Sequence, residues 1–128
     1  AGAGVTAVYL APETVDPFNP KVVRAAMGAH FRVPLRQLDA PAMEALRADL
    51  SVIAVAEADA ATAYDALDWT APAAVVVGAE AAGVSPAVAA MATDAVAIPL
   101  ARGVESLNAA VAGAVLLFEA ARQRRIRG

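Results

Sequence analysis

Short apolar runs alternate along the chain with longer stretches in which alanine and leucine recur every three or four residues among charged positions. The runs predict buried strands and the periodic stretches predict amphipathic helices. Strands are predicted at Val5 to Leu10, which Ala11-Pro12 stops, at Arg32 to Leu35, cut by Pro34, and at Leu50 to Ala56, Ala73 to Val77 and Ala95 to Leu100. Helices are predicted at Lys21 to Ala29, Pro41 to Asp49, Ala60 to Leu67, Ser85-Pro86 to Met91 and Leu107 to Arg124. Asn19 and Ser85 each precede a proline, so they read as N-caps with proline at the first helical position, where its missing N–H costs nothing. The last helix is apolar first and basic at its end, where cations suit the helix dipole. This β/α alternation predicts an α/β fold with a parallel sheet flanked by helices.

At 128 residues the chain fits one domain and can bury a core without staples. It has no cysteine, which removes disulfides and thiolate metal sites and makes a cytoplasmic setting the expectation; no metal is expected. Hydrophobic residues are 59% of the chain, yet alanine supplies much of this and no apolar run reaches the length of a membrane span. A soluble protein without a membrane partner is expected. The start Ala1-Gly2-Ala3-Gly4-Val5 lacks a signal peptide's basic segment and apolar core, and reads as the glycine end of a helix whose upstream part is missing. The net charge of −3 weighs against a surface that binds nucleic acid alone.

The candidate chemistry lies in two glycine-bearing loops, each following a strand. In Val77-Gly78-Ala79-Glu80-Ala81-Ala82-Gly83, Gly78 lets backbone approach a ligand and Gly83 gives a second flexible point. Glu80 stands where a dinucleotide fingerprint needs its second glycine, and its carboxylate would repel a pyrophosphate. Hydroxyls, an ammonium or a sulfonium suit it better; an ordinary strand-to-helix turn is the alternative. The second loop is Ile98-Pro99-Leu100-Ala101-Arg102-Gly103-Val104 followed by Glu105-Ser106-Leu107-Asn108. Ser106 or Asn108 can serve as the helix N-cap, but three polar groups exceed what one cap requires.

Gly78-Ala79-Glu80-x-x-Gly83 with Ile98-Pro99-Leu100 and Glu105-Ser106-Leu107-Asn108-Ala109-Ala110-Val111-Ala112 resembles motifs two and three of the SpoU/TrmH branch of the SPOUT RNA methyltransferases. Asn19-Pro20-Lys21-Val22-Val23-Arg24-Ala25-Ala26-Met27-Gly28-Ala29 is similar to the family's intermediate segment, with Ala26 in place of the usual serine. The resemblance implies methyl transfer from S-adenosyl-L-methionine to a ribose 2′-hydroxyl in ribosomal or transfer RNA, with ribosomal RNA favoured. It also implies a C-terminal deep trefoil knot and a homodimer that the last helix helps to form. Gly78, Ile98 and Leu107 match backbone contacts to the cofactor, Glu80, Gly83, Pro99 and Leu100 match residues shaping its pocket, and Ser106 and Asn108 match the catalytic polar positions.

The family's motif-one Asn-x-x-x-Arg, whose arginine stabilises the developing alkoxide, has no counterpart here and is expected upstream of Ala1 together with a first strand and an RNA-binding domain. Residues 1–128 alone are therefore expected to be inactive or nearly so. Arg24 is expected to contact RNA phosphate or support the site, and His30 to have a packing role in preference to a catalytic one. Arg122, Arg124, Arg125 and Arg127 offer phosphate contacts or simply satisfy a helix end. Tyr64 and Trp69 read as packing residues. A non-catalytic cofactor- or RNA-binding module, or a dimerisation domain of the same fold, is the alternative reading.

Overall fold

In the computed structural model, which describes residues 1–79 and 82–128, the strands pair in parallel. The chain forms two units, Ala1–Glu44 and Ala45–Gly128. In the first, β1 (Val8–Leu10) pairs with β2 (Leu35–Gln37) through Val8↔Leu35, Tyr9↔Arg36 and Leu10↔Gln37. The second strand lies later than the predicted Arg32 to Leu35. Pro34 has no N–H to give the ladder, so only its carbonyl takes part, accepting from Val8 N at 3.0 Å.

The helix α1 (Pro20–Ala26) starts as the sequence predicts, with the Asn19 side chain accepting from Lys21 N at 2.9 Å and proline in the first turn. It stops before the predicted Ala29 because Met27 and Gly28 are both left-handed, with φ of 49° and 83°. A 3-10 turn, Ala29–Phe31, follows. The helix α2 (Ala40–Asp49), capped by Asp39 accepting from Ala42 N at 2.9 Å, runs across the boundary between the units.

The second unit holds a four-stranded sheet in the order β4-β6-β3-β5, formed by β3 (Val52–Ala56), β4 (Thr62–Ala63), β5 (Ala73–Val76) and β6 (Asp94–Ala97). Parallel strands covered on both faces read as continuous apolar runs, and Val52 to Val55 are all buried. Side chains alternate across the sheet, so Val52, Ala54 and Val96 share a core cluster with Leu116 and Ala120 of α4 (Ala109–Arg127). The short helix α3 (Pro86–Ala89) is capped by Ser85, as predicted, and buries Val88. Among the described residues no helix is long and apolar enough to cross a membrane.

One predicted element is replaced. Ala60 to Leu67 is not a helix: Thr62↔Val96 and Ala63↔Ala97 pair at the sheet edge, and Tyr64 N donates to Ala97 O at 2.8 Å. Alanine's helix preference, a few tenths of a kcal/mol per residue over most other types, yields to the strand edge that β6 offers.

Candidate functional site

Parallel strands deliver their following loops to one edge of a sheet. Here β5 and β6 flank β3, so the Gly78 loop and the Ile98 loop leave the same edge about 10 Å apart, two strand spacings. A crevice beyond the carboxyl ends of such strands is where open α/β sheets place ligands.

The first loop closes on itself. Ala79 N donates to Gly83 O at 3.2 Å and Gly83 N to Ala79 O at 2.8 Å, with Gly83 left-handed at φ 64°. A Cβ on Gly78 would stand 2.7 Å from the Gly83 carbonyl carbon. Only glycine fits there, and the reason is the close approach of backbone to backbone. Glu80, assigned to the pocket from sequence, lies outside the described residues.

In the second loop Ile98 is half-buried against the core cluster, Leu100 and Leu107 are half-buried, and Pro99 is exposed. Gly103 takes φ 85° in the turn that Val104 N closes on Ala101 O at 3.2 Å. Asn108 is the N-cap of α4: its Oδ1 accepts from Ala110 N at 2.9 Å and Val111 N at 3.3 Å. That places the amide at the positive end of a 19-residue helix. Ser106 is not the cap and is exposed two residues earlier.

The two loops are joined through a residue that sequence reasoning passed over. A Cβ on Gly113 would meet Val77 Cγ2 at 3.1 Å, so α4 lies close against the residue that precedes Gly78. Gly113 is five residues, about 7.5 Å of helix, from Asn108. The structure thus brings the Gly78 loop, Ile98 and the Leu107-Asn108 helix start to one end of the second unit. Glu57 was also missed. It follows β3, between the two loops, its N–H donating to Val96 O at 2.9 Å and its side chain exposed. The signal was an acid placed directly after the most apolar strand of the chain.

Other candidates lie elsewhere. Arg24 belongs to the first unit, exposed on α1. His30 Nε2–H donates to Pro17 O at 2.6 Å and its ring meets Phe18 at 5.6 Å, a packing role. At the far end of α4 the arginines grip the 67–71 segment. Arg124 donates to Trp69 O at 3.0 Å and Ala71 O at 3.2 Å, and Arg127 to Thr70 Oγ1 at 3.1 Å. Gln123 holds Trp69 N and Leu67 O at 2.9 and 3.0 Å, while the Trp69 indole, fully buried, donates to Tyr64 O at 2.8 Å. Arg122 binds both oxygens of buried Glu119 at 2.7 and 2.8 Å. Those charge-assisted bonds hold the Glu119 carboxyl at about 2 against an ordinary 4.5 and raise Arg122 in return. Asp68 is lowered by the Thr70 hydroxyl and N–H, with Arg127 assisting. Among the described residues no group of three or more His, Asp or Glu is placed to hold a metal ion.

The chain is similar to known proteins. The SpoU rRNA Methylase family matches residues 1–118. An uncharacterised tRNA/rRNA methyltransferase of Synechocystis is 38% identical over 97% of this chain and 46% of its own length. The 23S rRNA (guanosine(2553)-2′-O)-methyltransferase of Bacillus subtilis is 36% identical over 91% of this chain and 47% of its own. The crystal structure of a SpoU methyltransferase from Streptomyces viridochromogenes in complex with AdoMet superposes with a TM-score of 0.86 at 32% identity, covering 99% of this chain and 53% of that one. The chain therefore spans about half the length of the relatives it matches.

Proposed function

The chain belongs to the SpoU rRNA methylase family, and from that premise we propose that it forms the cofactor-binding part of an S-adenosyl-L-methionine-dependent RNA 2′-O-ribose methyltransferase acting on ribosomal RNA. The observation that carries the reading is the Gly78 loop, bridged between Ala79 and Gly83, at the same sheet edge as Ile98, with Gly113 letting α4 lie close to Val77. Half-buried Ile98, Leu100 and Leu107, with exposed Glu57 directly after β3, suit a ligand that joins a flat apolar ring to hydroxyls and a cationic tail.

The bound cofactor supplies a methyl group already activated by its sulfonium. What remains for the protein is alignment, excluded water and help in removing the hydroxyl proton. In this reading backbone groups of Gly78, Ile98 and Leu107 hold the cofactor, and Glu80, Gly83, Pro99 and Leu100 shape its pocket. Glu57 accepts from hydroxyls or an ammonium. Ser106 and Asn108 orient the ribose hydroxyl at the helix's positive end, and Arg24 contacts RNA phosphate.

The same reading makes residues 1–128 a single SpoU-type domain whose knot threads the C-terminal segment. Val111 and Phe118, exposed and seven residues apart on one face of α4, suit a homodimer contact; the lack of cysteine suits the cytoplasm. These 128 residues hold no Asn-x-x-x-Arg, so alone they transfer methyl groups slowly or not at all. The second reading, a non-catalytic cofactor- or RNA-binding and dimerisation module, gains if no Asn-x-x-x-Arg segment accompanies these residues in the natural protein.

Calorimetry with S-adenosyl-L-methionine tests the site: the parent chain binds, and Gly78→Ala weakens binding at least about tenfold because its Cβ must displace the Gly83 backbone. Equal binding by Gly78→Ala would refute the loop's role. Transfer of labelled methyl to the ribose of ribosomal RNA by the longer natural protein separates the enzyme from the module.

A further inference from the structure

The first turns of α4 are built largely of alanine, at Ala109, Ala110, Ala112 and Ala114, yet Gly113 stands among them. Alanine is the best helix former and glycine the worst after proline, so Gly113 weakens the helix where its neighbours strengthen it. The residue is buried, and a Cβ there would meet Val77 Cγ2 at 3.1 Å, inside ordinary van der Waals contact. Its effect is to let α4 come close to the end of β5.

Neither side of that contact is free to retreat. Farther along α4, Leu116 and Ala120 lie in the core cluster, Gln123 accepts from Trp69 N at 2.9 Å and Arg124 donates to Trp69 O at 3.0 Å. Trp69 leads into β5, so the helix is tied near the start of that strand as well as near its end. On the strand side Val77 is joined to Gly78, whose backbone already lies so near Gly83 that a Cβ would stand 2.7 Å from the Gly83 carbonyl carbon. The branched Val77 side chain has few rotamers with which to absorb an added methyl group. A side chain at position 113 therefore presses on Val77, and Val77 on the Gly78 loop.

We propose that Gly113 is a positioning residue of the cofactor site: its missing side chain sets the spacing between the Gly78 loop and the Leu107-Asn108 helix start, about 7.5 Å of helix from Gly113 to Asn108. The proposal rests on the methyltransferase reading and deepens it, by naming a residue that touches neither cofactor nor target and yet fixes how the two loops face each other. Methyl transfer tolerates little misalignment, and a glycine that holds the spacing at the helix's expense fits such a site.

The test is calorimetry with S-adenosyl-L-methionine, run beside thermal melting, on the parent chain, Gly113→Ala, Val77→Ala and the double variant. Gly113→Ala is expected to weaken cofactor binding about tenfold while its melting temperature holds or rises, because alanine favours the helix. Val77→Ala removes the atom that the new Cβ would meet. In that background the same Gly113→Ala change is expected to alter affinity less than about twofold, a coupling that a general loss of structure does not produce. The proposal is overturned if Gly113→Ala binds as tightly as the parent, if its melting temperature falls together with its affinity, or if the loss of affinity is as large in the Val77→Ala background. A parent that binds no cofactor overturns the methyltransferase reading and the positioning role together, whereas equal binding by the parent and Gly113→Ala overturns the positioning role alone.

Discussion

Two groups of arginines look alike in sequence and behave in opposite ways. Arg122, Arg124 and Arg127 at the end of α4 are spent within the molecule, on the Glu119 carboxylate, on the carbonyls of Trp69 and Ala71 and on Thr70. Arg24, Arg32 and Arg36 of the first unit have no such partner among the described residues. A cationic cluster therefore says little about nucleic acid until its hydrogen bonds are known. Guanidinium groups bonded to backbone carbonyls are structural, and exposed ones without such bonds are available to a phosphate.

The contrast can be broken most forcefully at what the first group protects. Trp69→Ala empties a fully buried site and leaves the Tyr64 carbonyl without its donor, so it is expected to lower unfolding free energy by about 3–5 kcal/mol in urea titrations. A loss under about 1 kcal/mol would mean that the clamp closes on nothing important. Arg124→Gln removes two bonds to backbone carbonyls and is expected to cost about 1–3 kcal/mol by the same measurement, with RNA affinity unchanged.

Acid probes the clamp without mutation. Glu119 has a folded value of about 2, below its ordinary 4.5, so its contribution is fully present above that ordinary value and is lost as pH falls toward 2. The melting temperature should therefore drop across that window, and Glu119→Gln should flatten the drop. An identical acid profile in the variant would place the acid sensitivity elsewhere. The smallest effect belongs to the other cluster: Arg24→Gln should leave stability within about 0.5 kcal/mol while lowering RNA affinity. If Arg24→Gln destabilised the fold as much as Arg124→Gln, the distinction between the two clusters would fail.

What the sequence disclosed follows from how local each feature is. Asn19, Ser85 and their prolines announce helix starts because a cap and its N–H groups lie within three residues. That the two glycine loops leave one edge of the sheet was legible because parallel topology alone brings strand ends there. Thr62-Ala63 was not legible as a strand, since its only reason to extend is a partner more than thirty residues away in β6. Gly113 gave no sign either. Its value is the distance to Val77, and periodicity cannot distinguish a glycine that permits contact from one that merely weakens a helix.

Trp69 is the single tryptophan of the chain, and the bonds to its backbone N–H and carbonyl come from residues more than fifty positions later. During synthesis the sheet strands β3 to β6 are complete before α4 exists. The docking of α4, which brings Leu116 and Ala120 to the cluster that holds the indole, completes its burial. Its emission thus serves as a clock: the shift to shorter wavelength dates the docking of α4, independently of when the sheet itself assembles.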